Sequence, residues 1–252
     1  MITKSFDNRS EAIISPSAMF GEKKQVCRTA IGTFSVEIQA AVLERYPHET
    51  IGEIRAVNGT RPIHLLTVGA LKTAFYLSGV GSTMAATDVI EMNWKTGADR
   101  FILFGSAGAL DREAVSGKYI LPTEAYRDEG MSYHYAPPAD YIRVRNAEYL
   151  AALFEQHHLP FVQGRVWTTD AFYRETRDLV RKRRSEGCLA VEMELAGLQA
   201  VCDFHGLELY DFLLAGDLVD QPVYTPEGLQ EANHSMDKLD IALMIAENIA
   251  EL

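Results

Sequence analysis

Four segments of this sequence combine residue types that act on sugars and anions. Ser78-Gly79-Val80-Gly81-Ser82-Thr83 and Gly105-Ser106-Ala107-Gly108 each follow an apolar run. Glycines there admit a close backbone approach, and outward N–H groups attract negative charge, so Gly81, Ser82, Gly105 and Ser106 are candidates for a phosphate or nucleophile site. Tight turns are the plainer reading of each segment taken alone. In Val191-Glu192-Met193-Glu194-Leu195-Ala196 two carboxylates flank a methionine. A carboxylate offers two oxygens to two vicinal hydroxyls, which makes Glu192, Met193 and Glu194 candidate ribose-binding residues. Positions two apart on a helix point in different directions, so one glutamate faces a given ligand, and a preference for acids at a helix N-terminus explains the pair equally well. Leu213-Leu214-Ala215-Gly216-Asp217 ends an apolar run in an acid. Glycosidic cleavage passes through an oxocarbenium-like transition state, and a positioned acid with a raised pKa neutralises the departing group, so Asp217 is the catalytic candidate. A helix cap or a strand-end turn is the alternative.

Such residues must be held at strand ends, because ligands of open α/β sheets sit beyond the carboxyl ends of the strands. TAFYLSGVG, MAATDVIEMNWKTG and RFILFGSAG read in turn as strand, helix and strand, and strands separated by a helix pair in parallel. AIISPS, KYILPTEAY, FVQGRVWTTD and LELYDFLLAGD are further strand candidates, and AVEMELAGLQAVCDFHG and ANHSMDKLDIALMIAENIAEL read as helices. These elements predict a three-layer α/β/α sandwich with a central mixed β-sheet, a single domain over residues 1–252. No internal repeat or Pro/Gly/Ser-rich linker marks a boundary. The basic run RETRDLVRKRRSEG reads as a solvated helix face followed by a loop.

With 252 residues, 47% of them hydrophobic, the chain can bury one substantial core. Its formal charge of -11 argues against a nucleic-acid or anionic membrane partner. No apolar run approaches the ~20 residues of a membrane span, and MITKSFDNRSEA lacks the apolar centre of a signal peptide, so a cytoplasmic location is expected. Cys27, Cys188 and Cys202 have no CxxC spacing and are expected to be buried reduced thiols. No metal site is expected, since His134, His157, His158, His205 and His234 lack ligand spacing.

In their order, the four segments resemble the nucleoside phosphorylase superfamily, over most of the chain from about Ile13 onward, and are most similar in overall look to uridine phosphorylases. Gly130-Met131-Ser132-Tyr133-His134-Tyr135-Ala136-Pro137 and Thr169-Asp170-Ala171-Phe172-Tyr173 resemble further segments of those enzymes. The resemblance implies that Ser106 contacts the phosphate or the equivalent nucleophile, that Phe172, with Thr169 and Asp170, lines the base pocket, that Met193 packs under the ribose, and that Glu194 binds its hydroxyls. It implies no cofactor, a nucleoside and inorganic phosphate as small-molecule substrates, and a homo-oligomer between dimer and hexamer.

The sequence departs from the phosphorylase pattern at three places. Leu103 stands where the family has an arginine before the second glycine segment, and Ser15-Pro16-Ser17-Ala18-Met19-Phe20-Gly21, read as the first loop, holds no arginine. A phosphate dianion thereby loses its bidentate partners, for which Arg28, Arg55 and Arg61 are candidate substitutes. Methylthioadenosine and adenosylhomocysteine nucleosidases of the same superfamily also lack these arginines; they activate water with an early glutamate, for which Glu22 is the candidate. Third, Arg174-Glu175-Thr176-Arg177 lacks the glutamine with which uridine phosphorylases recognise uracil, while Gly216-Asp217 corresponds to a Ser-Asp pair of the purine-specific members. A phosphorylase acting on a purine or uridine nucleoside, a hydrolytic nucleosidase and a silent nucleoside-binding protein all stay open.

Overall fold

The computed structural model describes residues 1–220, 224–226 and 228–250. Its strands are β1 (Thr29–Thr33), β2 (His48–Ala56), β3 (Gly59–Val68), β4 (Leu71–Leu77), β5 (Arg100–Ala109), β6 (Tyr119–Asp128), β7 (Tyr141–Arg143), β8 (Phe161–Thr169), β9 (Cys188–Glu192) and β10 (Glu208–Leu218). Its helices are α1 (Pro16–Phe20), α2 (Val36–Arg45), α3 (Ser82–Thr96), α4 (Arg112–Val115), α5 (Ser132–Tyr135), α6 (Ala147–Gln156), α7 (Arg177–Ser185), α8 (Leu195–His205), α9 (Leu229–His234) and α10 (Asp237–Ala250).

The strands join one mixed sheet in the order β10-β6-β8-β9-β5-β1-β4-β3-β2, with β7 on β6. The central strands are apolar at successive positions because both faces are covered. Ala30, Ala74, Phe101 and Leu103 face α3 and α8, where Val89, Met92 and Leu198 meet them. Ile31, Phe75, Ile102 and Phe104 face α2, α6 and α10, packing with Val42, Phe154, Leu239 and Ile245. At about 1.5–3 kcal/mol per fully buried large side chain, these two layers supply the main stabilisation. The expected three-layer arrangement is therefore observed. One feature is additional: β10 pairs with both β5 and β6, and β9 with both β8 and β5, so these five strands close on themselves.

Three sequence assignments change. AIISPS is no strand: Pro16 occupies the first turn of α1, where its missing N–H costs nothing, and the Ser15 side chain accepts from Ala18 N at 3.2 Å. The first strand is Thr29–Thr33, so the first loop is Phe34-Ser35, which also lacks an arginine. Ala190, Val191 and Glu192 belong to β9, with helix only from Leu195 onward. The C-terminal segment breaks at Ser235-Met236 into α9 and α10, and Glu251-Leu252 lie outside the described residues. Cys188 and Cys202 are buried as expected, whereas Cys27 is half-exposed, and all three are free. Among the described residues no helix is long and apolar enough to cross a membrane.

Candidate active site

Where β1, β5, β9 and β10 end, a cavity of about 290 Å³ opens, bounded on its far side by α9 and the start of α10. Its size lies at the lower limit of the roughly 300–1,000 Å³ typical of small-molecule pockets. Met193, Glu194 and Glu192 line it together. Gly81, the residue before α3, has φ +88°, a conformation only glycine adopts without strain, and its N–H reaches Glu194 Oε1 at 2.6 Å. Ser82 N donates to Met193 O at 2.7 Å, and Ser82 Oγ to Glu194 O at 3.1 Å. Gly81 and Ser82 thus position the Glu194 segment and are not among the cavity-lining residues. Met193 N donates to Glu194 Oε2 at 3.3 Å, so each oxygen of this carboxylate carries one backbone bond and keeps a lone pair for an outside donor. Glu192 differs: Oε1 accepts from Thr168 Oγ1, and Oε2 accepts from the N–H groups of Glu194 and Leu195 at 2.7 and 2.8 Å. It caps the start of α8, the plainer of the two roles its position suggests. Burial and then the neighbouring Glu194 raise the Glu192 pKa; burial raises that of Glu194. Behind them Asp211 is fully buried and raised well above the usual carboxylate range by burial and then by both glutamates.

Another part of the wall carries Phe172, Glu175 and Asp217. Asp217 is 5% exposed, and the Tyr224 hydroxyl hydrogen-bonds to it. Glu175 joins the site although no sequence motif marks it. Burial, and then the charge of Asp217, push its pKa up to about 7. Phe172 is 44% exposed, on a 3₁₀ turn with Tyr173 edge-on at 5.0 Å. Thr169 and Asp170 lie outside the cavity lining: Thr169 Oγ1 donates to Asp128 Oδ2 at 3.2 Å, and Asp170 Oδ2 accepts from Gly130 N at 3.0 Å.

Gly105-Ser106-Ala107-Gly108 lines the cavity, yet it is strand rather than a nest of outward N–H groups. Its backbone is in register with Leu213-Leu214-Ala215 of β10, and Gly108 pairs with Val191 of β9. A Cβ at Gly108 would lie 3.0 Å from Val191, so glycine permits the strands to close. Ser106 Oγ donates to Asn233 Oδ1 of α9.

The Phosphorylase superfamily model matches residues 29–250. The chain belongs to this superfamily. A DeoD-type purine nucleoside phosphorylase of Bacillus cereus is 28% identical over 143 residues, 56% of this chain and 61% of that relative. The chain therefore spans about three fifths of the length of the curated relatives it matches. Among solved structures, AMP nucleosidase of Bacteroides thetaiotaomicron superposes with a TM-score of 0.70 at 20% identity, covering 90% of each chain. The 5'-methylthioadenosine/S-adenosyl homocysteine nucleosidase of Campylobacter jejuni gives 0.70 at 19% identity, covering 90% of this chain and 100% of that one. At these identities the likeness is one of fold.

Among the described residues no arginine lines the cavity. Arg28 pairs with Asp99 at 3.0 Å, Arg55 with Glu53, and Arg61 with Asp88 at 2.5 Å; none lines the cavity. Leu103 is buried in the core. Lys238 supplies an ammonium to the cavity wall. Glu22 is exposed and away from the cavity, whereas Glu37, at the start of α2, contacts His234 Nδ1 at 3.0 Å and accepts from Ser35 Oγ at 3.3 Å, both residues of the cavity wall. Gly216 replaces the serine of the purine-type pair because α9 presses on it. A Cβ there would come 3.1 Å from Ala232 Cβ and 3.2 Å from Leu229 Cα.

Proposed function

We propose that this protein cleaves the N-glycosidic bond of a purine ribonucleoside, transferring the ribosyl group to inorganic phosphate. The observation that carries the reading is one cavity shared by a carboxylate with free lone pairs, Glu194, and an acid pair, Glu175 and Asp217. Glu194 would accept from the sugar hydroxyls, with Met193 against the ribose and Phe172 against the base. A phosphate oxygen attacks the anomeric carbon as the C–N bond breaks; its electron pair goes to the base, which takes a proton on N7. The products are free base and ribose 1-phosphate. The sequence assigns that proton to Asp217. The structure adds Glu175 beside it, whose pKa of about 7 supports its carrying the proton near neutrality.

Hydrolysis is the second reading, favoured by the absence of any arginine from the cavity wall among the described residues and by Glu37 beside that wall. Base release from inosine, adenosine, methylthioadenosine and uridine, with and without phosphate, decides between them. Phosphate-dependent release of a purine with formation of ribose 1-phosphate is the expected result. Phosphate-independent release would establish a hydrolase, and nucleoside binding without release would overturn the enzymatic reading.

A further inference from the structure

Lys238 is 1% exposed, yet it lines the cavity. Its ammonium donates to Ala232 O and lies 5.8 Å from the centre of the Phe104 ring. No carboxylate pairs with it among the described residues, and burial lowers its pKa to about 8. Desolvating a cation without a counter-ion is costly, so buried lysines are ordinarily paired or meet an anion that arrives from outside. An ammonium has three donors, and one is used here.

The surroundings favour a multidentate oxyanion. Hydroxyls of Thr33, Ser35 and Ser106 share the cavity wall with Lys238, and α9 ties them together: Asn233 holds Ser106, and His234 holds Ser35 at 2.7 Å. The carboxylates lining the wall are Glu192 and Glu194 of the β9–α8 turn, Glu175 of the turn before α7 and Asp217 of β10, with Glu37 accepting from Ser35 at 3.3 Å, and Lys238 supplies the one ammonium among the described lining residues. We propose that Lys238 binds a phosphate dianion, joined by the Ser106 hydroxyl once it turns its proton from Asn233 Oδ1 to the ligand, so that one buried ammonium stands in for the guanidinium groups this chain lacks. That dianion is either inorganic phosphate or the 5'-phosphate of a nucleotide. The proposal rests on the cavity being the nucleoside site and not on which nucleophile reacts.

The test is calorimetric titration of the full chain with inorganic phosphate, with sodium chloride at matched ionic strength as control, and separately with adenosine 5'-monophosphate and adenosine. Lys238→Met keeps the side-chain length and removes the charge; a charge-assisted hydrogen bond of about 1.5–3 kcal/mol predicts affinity for the phosphate dianion weakened about 10- to 100-fold. Lys238→Arg should restore part of it. Ser106→Ala should weaken it several-fold and covers the case in which the lysine variant does not fold. If free phosphate shows the effect, it is the ligand, and the KM for phosphate should rise in Lys238→Met with little change in kcat at saturating phosphate. If only the monophosphate binds, more tightly than adenosine, and Lys238→Met abolishes that advantage, the esterified source is established. Equal phosphate affinity in all variants, or no binding of either phosphate, overturns the proposal. Base release that ignores phosphate and Lys238 would leave glycosidic cleavage standing while removing this site; phosphate binding through Lys238 without base release would do the reverse.

Discussion

Replacing Glu194 by glutamine isolates its charge. The substitution keeps an oxygen for the Gly81 N–H, which sits 2.6 Å from Oε1, and gives up only the longer 3.3 Å bond from Met193 N to Oε2, whereas alanine would orphan both donors at a cost of about 1–3 kcal/mol each and confuse stability with binding. Glutamine turns the other oxygen into a donor, so of two charge-assisted bonds to the ribose hydroxyls, each worth about 1.5–3 kcal/mol, one is lost and the other falls to a neutral bond of about 0.5–1.5 kcal/mol. The net loss is about 2–4 kcal/mol, or roughly 30- to 1,000-fold in kcat/KM for a ribonucleoside. A 2'-deoxynucleoside offers one hydroxyl fewer and should lose only about 10-fold. The assay is initial-rate base release from matched ribo- and deoxyribonucleosides by wild type and Glu194→Gln, with thermal unfolding as the folding control. Equal losses on the two sugars would refute the clamp.

Three further expectations concern Glu175 and Glu192 of the cavity wall and Gly216 under α9. With its pKa at about 7, Glu175 holds a proton below that pH and loses it above, so kcat on a purine nucleoside should fall as pH rises through 7; Glu175→Gln should flatten that limb, and an unchanged limb would take the proton away from this residue. Glu192 accepts from two N–H groups at the start of α8, so Glu192→Ala should lower stability by about 0.5–2 kcal/mol in a denaturant titration, with nucleoside KM nearly unaffected; a large KM effect on a stable protein would make it a ligand. Gly216→Ser should cost about 1–3 kcal/mol by pushing α9 off β10, and an unchanged melting temperature would show that α9 yields freely.

The parts legible in the sequence are those in which local pattern and tertiary role coincide. The apolar runs at the heart of β4, β5 and β10 announce strands covered on both faces, and the ends of those runs locate Ser106 and Asp217. Val191-Glu192-Met193-Glu194 misleads because its acids look like a helix start while β8 and β5 take its first residues into the sheet, a pairing no local pattern encodes. Gly105-Ser106-Ala107-Gly108 misleads the other way, since all four residues are strand and Gly108 serves the close approach of β9 rather than a turn. Asn58-Gly59 was a hairpin signal that would have revealed β2 and β3. Lys238 also left a trace: with Ile241, Ala242, Ile245 and Ile249 it occupies the apolar face of α10, and a lysine in that row asks what satisfies it. Glu175 left none, since its burial comes from elements far away in the sequence.

The departures of this chain from its superfamily are physically linked. Glycine at 216 lets α9 approach β10, and that approach brings Asn233 to Ser106 and His234 to Ser35. Lys238 follows one turn after α9 and is anchored back to it through Ala232 O, beside Gly216. A serine at 216 would move the same helix that carries the lysine's anchor, so Gly216, α9 and Lys238 form one arrangement. Gly216→Ser should therefore weaken phosphate binding as well as stability, and adding Lys238→Met should cost far less than it does alone. Independent, additive losses at the two positions would show that they are not coupled through α9.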